Sequence, residues 1–273
     1  MPRLRITTWN VNSIRLRLDG LRRLVEAHDP DVVCLQETKT RNHLFPLLEA
    51  TALGYPHSFL HGMAGYHGVA VLSRLPLAAP RAIDWCGKED CRHVRVGLPG
   101  GIELHNLYVP AGGDVPDPEV NPKFAHKLDF LRDLTAWFGV HADDGRRAVL
   151  VGDLNVAPLE TDVWSHRQLL DVVSHTPVEV EAFGRLRASC GWVDAMRRFV
   201  PPEERLFTWW SYRNRDWAAS DRGRRLDHVL VTPALAGALR GVEVLRAARD
   251  WPSPSDHVPV TVELEVQYRP DEG

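Results

Sequence analysis

The chain has 273 residues, 44% of them hydrophobic and 25% charged, with a formal net charge of -3. That length and apolar share can bury a substantial core, while the slightly acidic balance leaves any nucleic-acid contact to local patches rather than bulk charge. Four scattered cysteines without a C-x-x-C pair leave zinc and redox motifs unsupported and suggest a reducing cytosol rather than a disulfide scaffold, and no apolar run reaches signal-peptide or membrane-span length, so a cytoplasmic protein is expected.

Residues 4–9 read as a short strand. Ser13 then offers a cap for a helix with Ile14, Leu18, Leu21, Leu24 and Val25 at helical spacing, stopped by Asp29-Pro30. Residues 31–35 form a buried-strand pattern with Gln36-Glu37 at its end, and 68–72 and 102–109 are further strands. Periodicity over 123–138 predicts a helix with Phe124, Leu128, Leu131, Leu134 and Phe138 on one side. Residues 146–151 are a β run leading into Gly152-Asp153, 178–189 are helical, and 207–212, 226–231 and 258–264 are late strands. No linker, low-complexity tract or fixed-period repeat interrupts this order, so one domain over residues 1–273 is expected. Strands and helices do not alternate cleanly, which argues against a parallel doubly wound sheet and for two packed sheets with outer helices.

Asn10, Glu37, Tyr108, Asp153, Asp227 and His257 each lie in or at the edge of a β run, where a rigid scaffold can hold a site. An apolar strand delivers Asp153 and Asn155 two residues apart, and alternation would put both on one face. One can orient a water or take its proton and the other can hold a phosphate oxygen; a plain turn is the competing reading. Glu37 sits at the mouth of the core, where a hard oxygen ligand suits Mg²⁺, or simply closes a strand. His257 suits a general base or a cation that stabilises a developing oxyanion, with Asp227 to orient it; a core histidine competes. His228 points away from Asp227 and reads as structural. Asn10 and Asn12 can position a carboxylate or a metal-bound water, or form a hydrogen-bonded turn. Residues 185–225 hold Arg197, Arg198, Arg205, Arg213, Arg215, Arg222, Arg224 and Arg225, with Trp209, Trp210, Tyr212 and Trp217 among them. Such a mixture suits contact with phosphates and unstacked sugars, against a solvated face over core tryptophans.

In chain order the motifs read Trp9-Asn10-Val11-Asn12, Leu35-Gln36-Glu37-Thr38-Lys39, Asn106-Leu107-Tyr108-Val109-Pro110, Gly152-Asp153-Leu154-Asn155-Val156-Ala157-Pro158, Arg225-Leu226-Asp227 and Ser255-Asp256-His257-Val258-Pro259. Together they resemble the endonuclease/exonuclease/phosphatase superfamily. Residues 152–158 with Asp162, residues 35–39, Leu53-Gly54-Tyr55, residues 65–70 and Asn121-Pro122-Lys123-Phe124 are similar to exonuclease III and its abasic-site (AP) endonuclease relatives in particular. The resemblance covers about residues 6–260. It implies a four-layer α/β sandwich, two packed mixed β-sheets flanked by helices. It further implies Glu37 as the principal metal carboxylate, with Asn12 and Asp256 near the metal. Asn10 and Asp153 would align or deprotonate the attacking water, Asn155, Tyr108 and His257 would hold the scissile phosphate, and Asp227 would orient His257. Trp209 and Leu226 would wall an abasic-sugar pocket, with Arg213 and Arg224 beside them on the DNA. The implied cofactor is Mg²⁺, with Mn²⁺ able to substitute. The implied partner is double-stranded DNA with abasic sites or free 3′ ends, bound by a monomer without a membrane. Two positions depart from the pattern: Arg224 stands where relatives carry an apolar or aromatic pocket residue, and Ala111 stands where some carry a phosphate-contacting Asn. An inositol or lipid phosphatase would share Glu37, Asp153 and His257. A non-catalytic binding module could dispense with Asp153, Asn155, Asp227 and His257, all of which are present.

Overall fold

A computed structural model describes residues 3–142, 145–214 and 216–266 of the chain. β1 (Arg3–Asn10), β2 (Val32–Gln36), β3 (His57–His61) and β4 (Val69–Ser73) come first. β5 (Ala78–Ala82), β6 (His93–Leu98), β7 (Ile102–Tyr108), β8 (Ala148–Asp153) and β9 (Val193–Asp194) follow. The two-residue strands β10 (Trp209–Trp210) and β11 (Gly223–Arg224) precede β12 (Asp227–Val231), β13 (Leu239–Val244) and β14 (Val260–Glu265). They build two six-stranded sheets, ordered β13-β14-β1-β2-β4-β3 and β5-β6-β7-β8-β12-β9, with β10 and β11 as a separate ribbon. Each sheet is mixed: β1 and β2, and β7 and β8, run parallel among antiparallel neighbours.

Alternation along the strands sends one set of apolar residues inward, where Ile6, Val32, Cys34 and Val71 of the first sheet meet Val96, Leu104, Val149, Val151 and Val229 of the second. The opposite faces are apolar too, so each needs a cover. Helix Leu18–His28 packs Leu21 and Leu24 on Val33 and Leu35. Helices Pro122–Val140 and Pro177–Ser189 pack Phe130, Leu134, Phe138, Phe183 and Leu186 against Leu107 and Leu150. The result is the expected four-layer α/β sandwich. No helix among the described residues is long and apolar enough to cross a membrane.

Several local expectations shift. The first helix starts at Leu18, and Ser13 does not cap it; residues Ile14–Leu16 are a separate 3-10 turn. Ser13 is instead held by its backbone N–H to the carbonyl of Glu37 (2.7 Å), so the chain serves the strand end before it serves the helix. The β run expected at 207–212 shrinks to Trp209–Trp210. On the helix Pro122–Val140, capped by Asn121 with Pro122 at its first position, the fully buried stripe takes Lys127 rather than Leu128. The edge strands β3 and β5 escaped the sequence because neither is deeply buried, so no period-2 apolar signal marks them.

Candidate active site

Strand register brings the polar residues to one rim. In the second sheet Tyr108 of β7 pairs with Asp153 of β8, which pairs with Asp227 of β12. In the first, Asn10 pairs with Gln36, the residue before Glu37. Asn106, one step inward from Tyr108 on its strand, ties the two sheets together beneath the rim. It accepts from Gln36 Nε2 (2.7 Å) and donates to the carbonyls of Leu35 and Ala70. Gly152 is required at its place: its φ is +143, and an added Cβ would collide with the Leu107 carbonyl oxygen. Asn12, Glu37 and Asn155 all take left-handed backbone (φ 45, 51 and 53), a cost concentrated where the strands end.

The side chains converge. Asn10 Nδ2 donates to Glu37 Oε1 and to Asp153 Oδ2, both at 2.9 Å. Tyr108 Oη donates to Glu37 Oε1 (2.8 Å). His257 lies between two carboxylates, with Nδ1 2.8 Å from Asp227 Oδ2 and Nε2 3.6 Å from Asp153 Oδ2. Asn155 is close by, its Nδ2 on the Val109 carbonyl (2.9 Å) and its N–H on Asp153 Oδ1 (3.0 Å). A turn after β8, not alternation along an extended strand, puts Asn155 beside Asp153. Asp256 is held by Asn12 Nδ2 (3.0 Å) and by the Trp209 indole N–H (2.9 Å).

Electrostatics follow from burial and neighbours. Burial among other carboxylates pushes Asp153 up to about 7, against the pull of His257. Burial disfavours charge on His257 as well, but Asp227 and Asp153 outweigh it and raise the imidazole to about 10, so it stays protonated. Burial also works against Glu37, but hydrogen bonds from Asn10 and Lys39 and nearby positive charge hold it below the usual carboxylate range. Tyr108 is pushed well above its ordinary value by burial and by Glu37, so it remains a donor.

The donors fit a divalent cation. Four carboxyl groups (Glu37, Asp153, Asp227, Asp256) gather around two cations, Lys39 and His257, so oxygen donors outnumber the cations in contact with them. The Lys39 ammonium bridges Glu37 Oε2 (2.8 Å) and Asn12 Oδ1 (2.6 Å), so hard oxygens already converge on a positive charge there. Asp153, Asp227 and His257 also bring ligand atoms within 4.8 Å of one another, and there the protonated His257 itself supplies the positive charge. Asp227 Oδ1 is buried there without a hydrogen-bond partner. Lys39 lies inside the quoted 35–39 motif but drew no role from the sequence; its spacing of two from Glu37 was the signal.

Beside this cluster opens a cavity of about 740 Å³ lined by Trp164, Trp209, Leu226, Arg213, Arg222 and Arg224, together with Glu37, Tyr108, Asp153, Asn155, Asp256 and His257. The arginine-rich segment divides. Arg213, Arg222 and Arg224 reach the cavity, whereas Arg197 and Arg225 are withdrawn into ion pairs with Asp162 and Asp194, so the expectation of DNA contact is corrected for those two. Trp210 is a core residue, 1% exposed. Arg215 lies outside the described residues. His228 is fully buried on the opposite face from Asp227, as expected, with Nε2 on the Val156 carbonyl (2.7 Å).

Residues 7–257 match the family model described as Endonuclease/Exonuclease/phosphatase family. Exodeoxyribonuclease III of Haemophilus influenzae is 29% identical, covering 96% of this chain and all of that one. An AP endonuclease from Archaeoglobus fulgidus superposes with a TM-score of 0.88 at 32% identity, over 96% of this chain and 100% of that chain. The 3′ phosphatase NExo from Neisseria, solved bound to product DNA hairpin, does so with a TM-score of 0.87 at 31% identity, over 96% and 99%. With strand order, rim residues and near-full-length similarity in agreement, the chain belongs to the endonuclease/exonuclease/phosphatase family, as a hydrolase of its exonuclease III and AP endonuclease branch.

Proposed function

We propose that the protein is a magnesium-dependent DNA-repair phosphodiesterase, a single domain acting as a cytoplasmic monomer. It cleaves 5′ to abasic sites, trims DNA 3′ ends or removes 3′ phosphate, and leaves a 3′-hydroxyl. The observation that carries this reading is Asp153 Oδ2, bracketed by Asn10 Nδ2 at 2.9 Å and by His257 Nε2 at 3.6 Å at the edge of an arginine- and tryptophan-lined cavity.

Asp153 takes a proton from the attacking water, and a carboxyl raised to about 7 is well matched to that task near neutral pH. Asn10 fixes the carboxylate and the water's approach. The His257 imidazolium, kept charged and oriented by Asp227, offsets the negative charge that builds on the phosphoryl oxygens. Tyr108 and Asn155 donate to the same phosphate, and Trp209, Leu226, Arg213 and Arg224 hold the adjoining DNA. Glu37, Asn12 and Asp256 would hold Mg²⁺ or Mn²⁺, which when bound supplies Lewis-acid stabilisation of that charge.

The test uses two end-labelled duplexes, one with an abasic-site analogue and one with a recessed 3′ end, each incubated with Mg²⁺ or with chelator. Metal-dependent cutting of either, abolished in Asp153→Ala, is expected. If wild type cuts neither duplex, the reading fails.

A further inference from the structure

Arg224 occupies an unusual electrostatic position in the cavity wall. Its Nη1 donates to the Val173 carbonyl (2.9 Å) and Ser174 Oγ (2.8 Å), and its guanidinium lies 5.3 Å from the Trp209 ring centroid. Its Nε is buried with no hydrogen-bond partner, and among the described residues no carboxylate lies within ion-pair distance. The next residue makes the contrast: Arg225 is held by Asp162 and by Asp194. A half-buried guanidinium with one nitrogen unpartnered and no carboxylate in contact gains from an anion that completes it. Arg224 faces the substrate cavity, so the missing anion belongs to the ligand.

We propose that Arg224 is a specificity-determining residue that selects DNA 3′ ends blocked by an anionic group over interior abasic nucleotides. This rests on the reading of the site as a DNA phosphodiesterase and names its substrate class. A deoxyribose without its base is neutral and calls for an apolar wall, which Trp209 and Leu226 provide only in part. A terminal phosphate monoester carries a second negative charge that an internal diester lacks, and a carboxylate-bearing remnant on that phosphate carries one as well. Either satisfies a cation already locked against Trp209, Val173 and Ser174, with little left to order on binding. In the reaction the water oxygen bonds to phosphorus as the P–O3′ bond breaks. Asp153 accepts one water proton, and the departing 3′ oxygen takes up one proton in balance. The products are a 3′-hydroxyl and free phosphate, or the phosphorylated remnant.

The experiment compares kcat/KM in Mg²⁺ for three duplexes of one sequence, ending at a gap in 3′-phosphate or 3′-phosphoglycolate, or containing an internal tetrahydrofuran abasic analogue. Wild type should prefer the two anionic ends. Arg224→Leu should lose roughly 10- to 100-fold on both, mainly through KM, and several-fold less on the abasic analogue, so that the preference for anionic ends shrinks or inverts. Arg224→Lys should restore part of the loss. An equal fall on all three substrates in both variants would reduce Arg224 to a structural role, and wild-type preference for the abasic analogue would overturn the proposal directly. Failure of wild type to cut any of the three instead overturns the phosphodiesterase reading on which it rests.

Discussion

Two groups of buried charge, one at the strand ends and one on the helices and turns beside them, are built on opposite terms. At the rim, four carboxylates face Lys39 and His257, the charges do not cancel, and Asp153 is driven up to about 7. Below and beside it, charges close on each other. Arg225 and Arg197 meet Asp162 and Asp194, and Lys127 meets Glu179, with both members fully buried. Lys127 Nζ also holds the backbone carbonyl of Asn155 (2.7 Å), and Glu179 accepts the N–H groups of Ser174 and Thr176. The balanced network thus braces both the turn that carries Asn155 and the loop that locks Arg224. Unbalanced charge is tolerated at the rim because its surroundings are fixed elsewhere.

The comparison can be broken most sharply at Asp153. Asp153→Asn should lower kcat roughly 100- to 10,000-fold while leaving the unfolding midpoint unchanged or raised, because it removes a charge buried among like charges. A destabilised but active variant would put Asp153 in the brace instead. Lys127→Met should do the reverse to stability, costing about 3–5 kcal/mol in urea unfolding because Glu179 is left buried and unpaired. The double change Lys127→Met with Glu179→Leu should recover much of that cost; no recovery would mean that the pair is not what sets it.

The brace also predicts a pH effect. Burial, with the Arg225 charge, lowers His228 to about 4, its Nε2–H serves Val156, and its Nδ1 has no partner to accept a second proton's bond. The folded state therefore binds fewer protons than the unfolded one between pH 6.5 and 4. The stability contributed by neutral His228 is complete above pH 6.5 and is lost as pH falls through that window, by about 3 kcal/mol in all. Unfolding free energies measured across the window should show a slope that His228→Gln flattens; an unchanged slope would reject it. The smallest effect is at Trp209. Trp209→Phe removes the donor that orients Asp256, and the Mg²⁺ concentration for half-maximal cleavage should rise roughly tenfold. An unchanged metal requirement would detach Asp256 from the metal.

Much of this was legible along the chain. Most interior strands showed their apolar runs, although β6, interrupted by His93, Arg95 and Gly97, did not, and the motif residues from Asn10 to His257 lie at or near strand ends. His228 was separable from Asp227 by alternation alone. Lys127 had a visible signal too, a lone cation three residues after Phe124 and four before Leu131 on a buried stripe, but a pattern search for apolar residues passes over it. Edge strands left no trace, and the arginine-rich segment looked uniform although its members have opposite fates.

The sequence by itself determined which residues are available at strand ends, because residue type and period are local properties, and the order of those motifs carried the resemblance from which the phosphodiester chemistry was expected. Only the tertiary structure decided which charges meet. Arg224 and Arg225 are chemically identical neighbours, and alternation across β11 and its exit sends one to a substrate cavity without a counter-ion and the other between two aspartates. Many of the pairings that set burial and pKa join distant positions, such as Arg225 with Asp162 and Arg224 with Val173, and distance in space is set by the packed sheets rather than by the order of the chain.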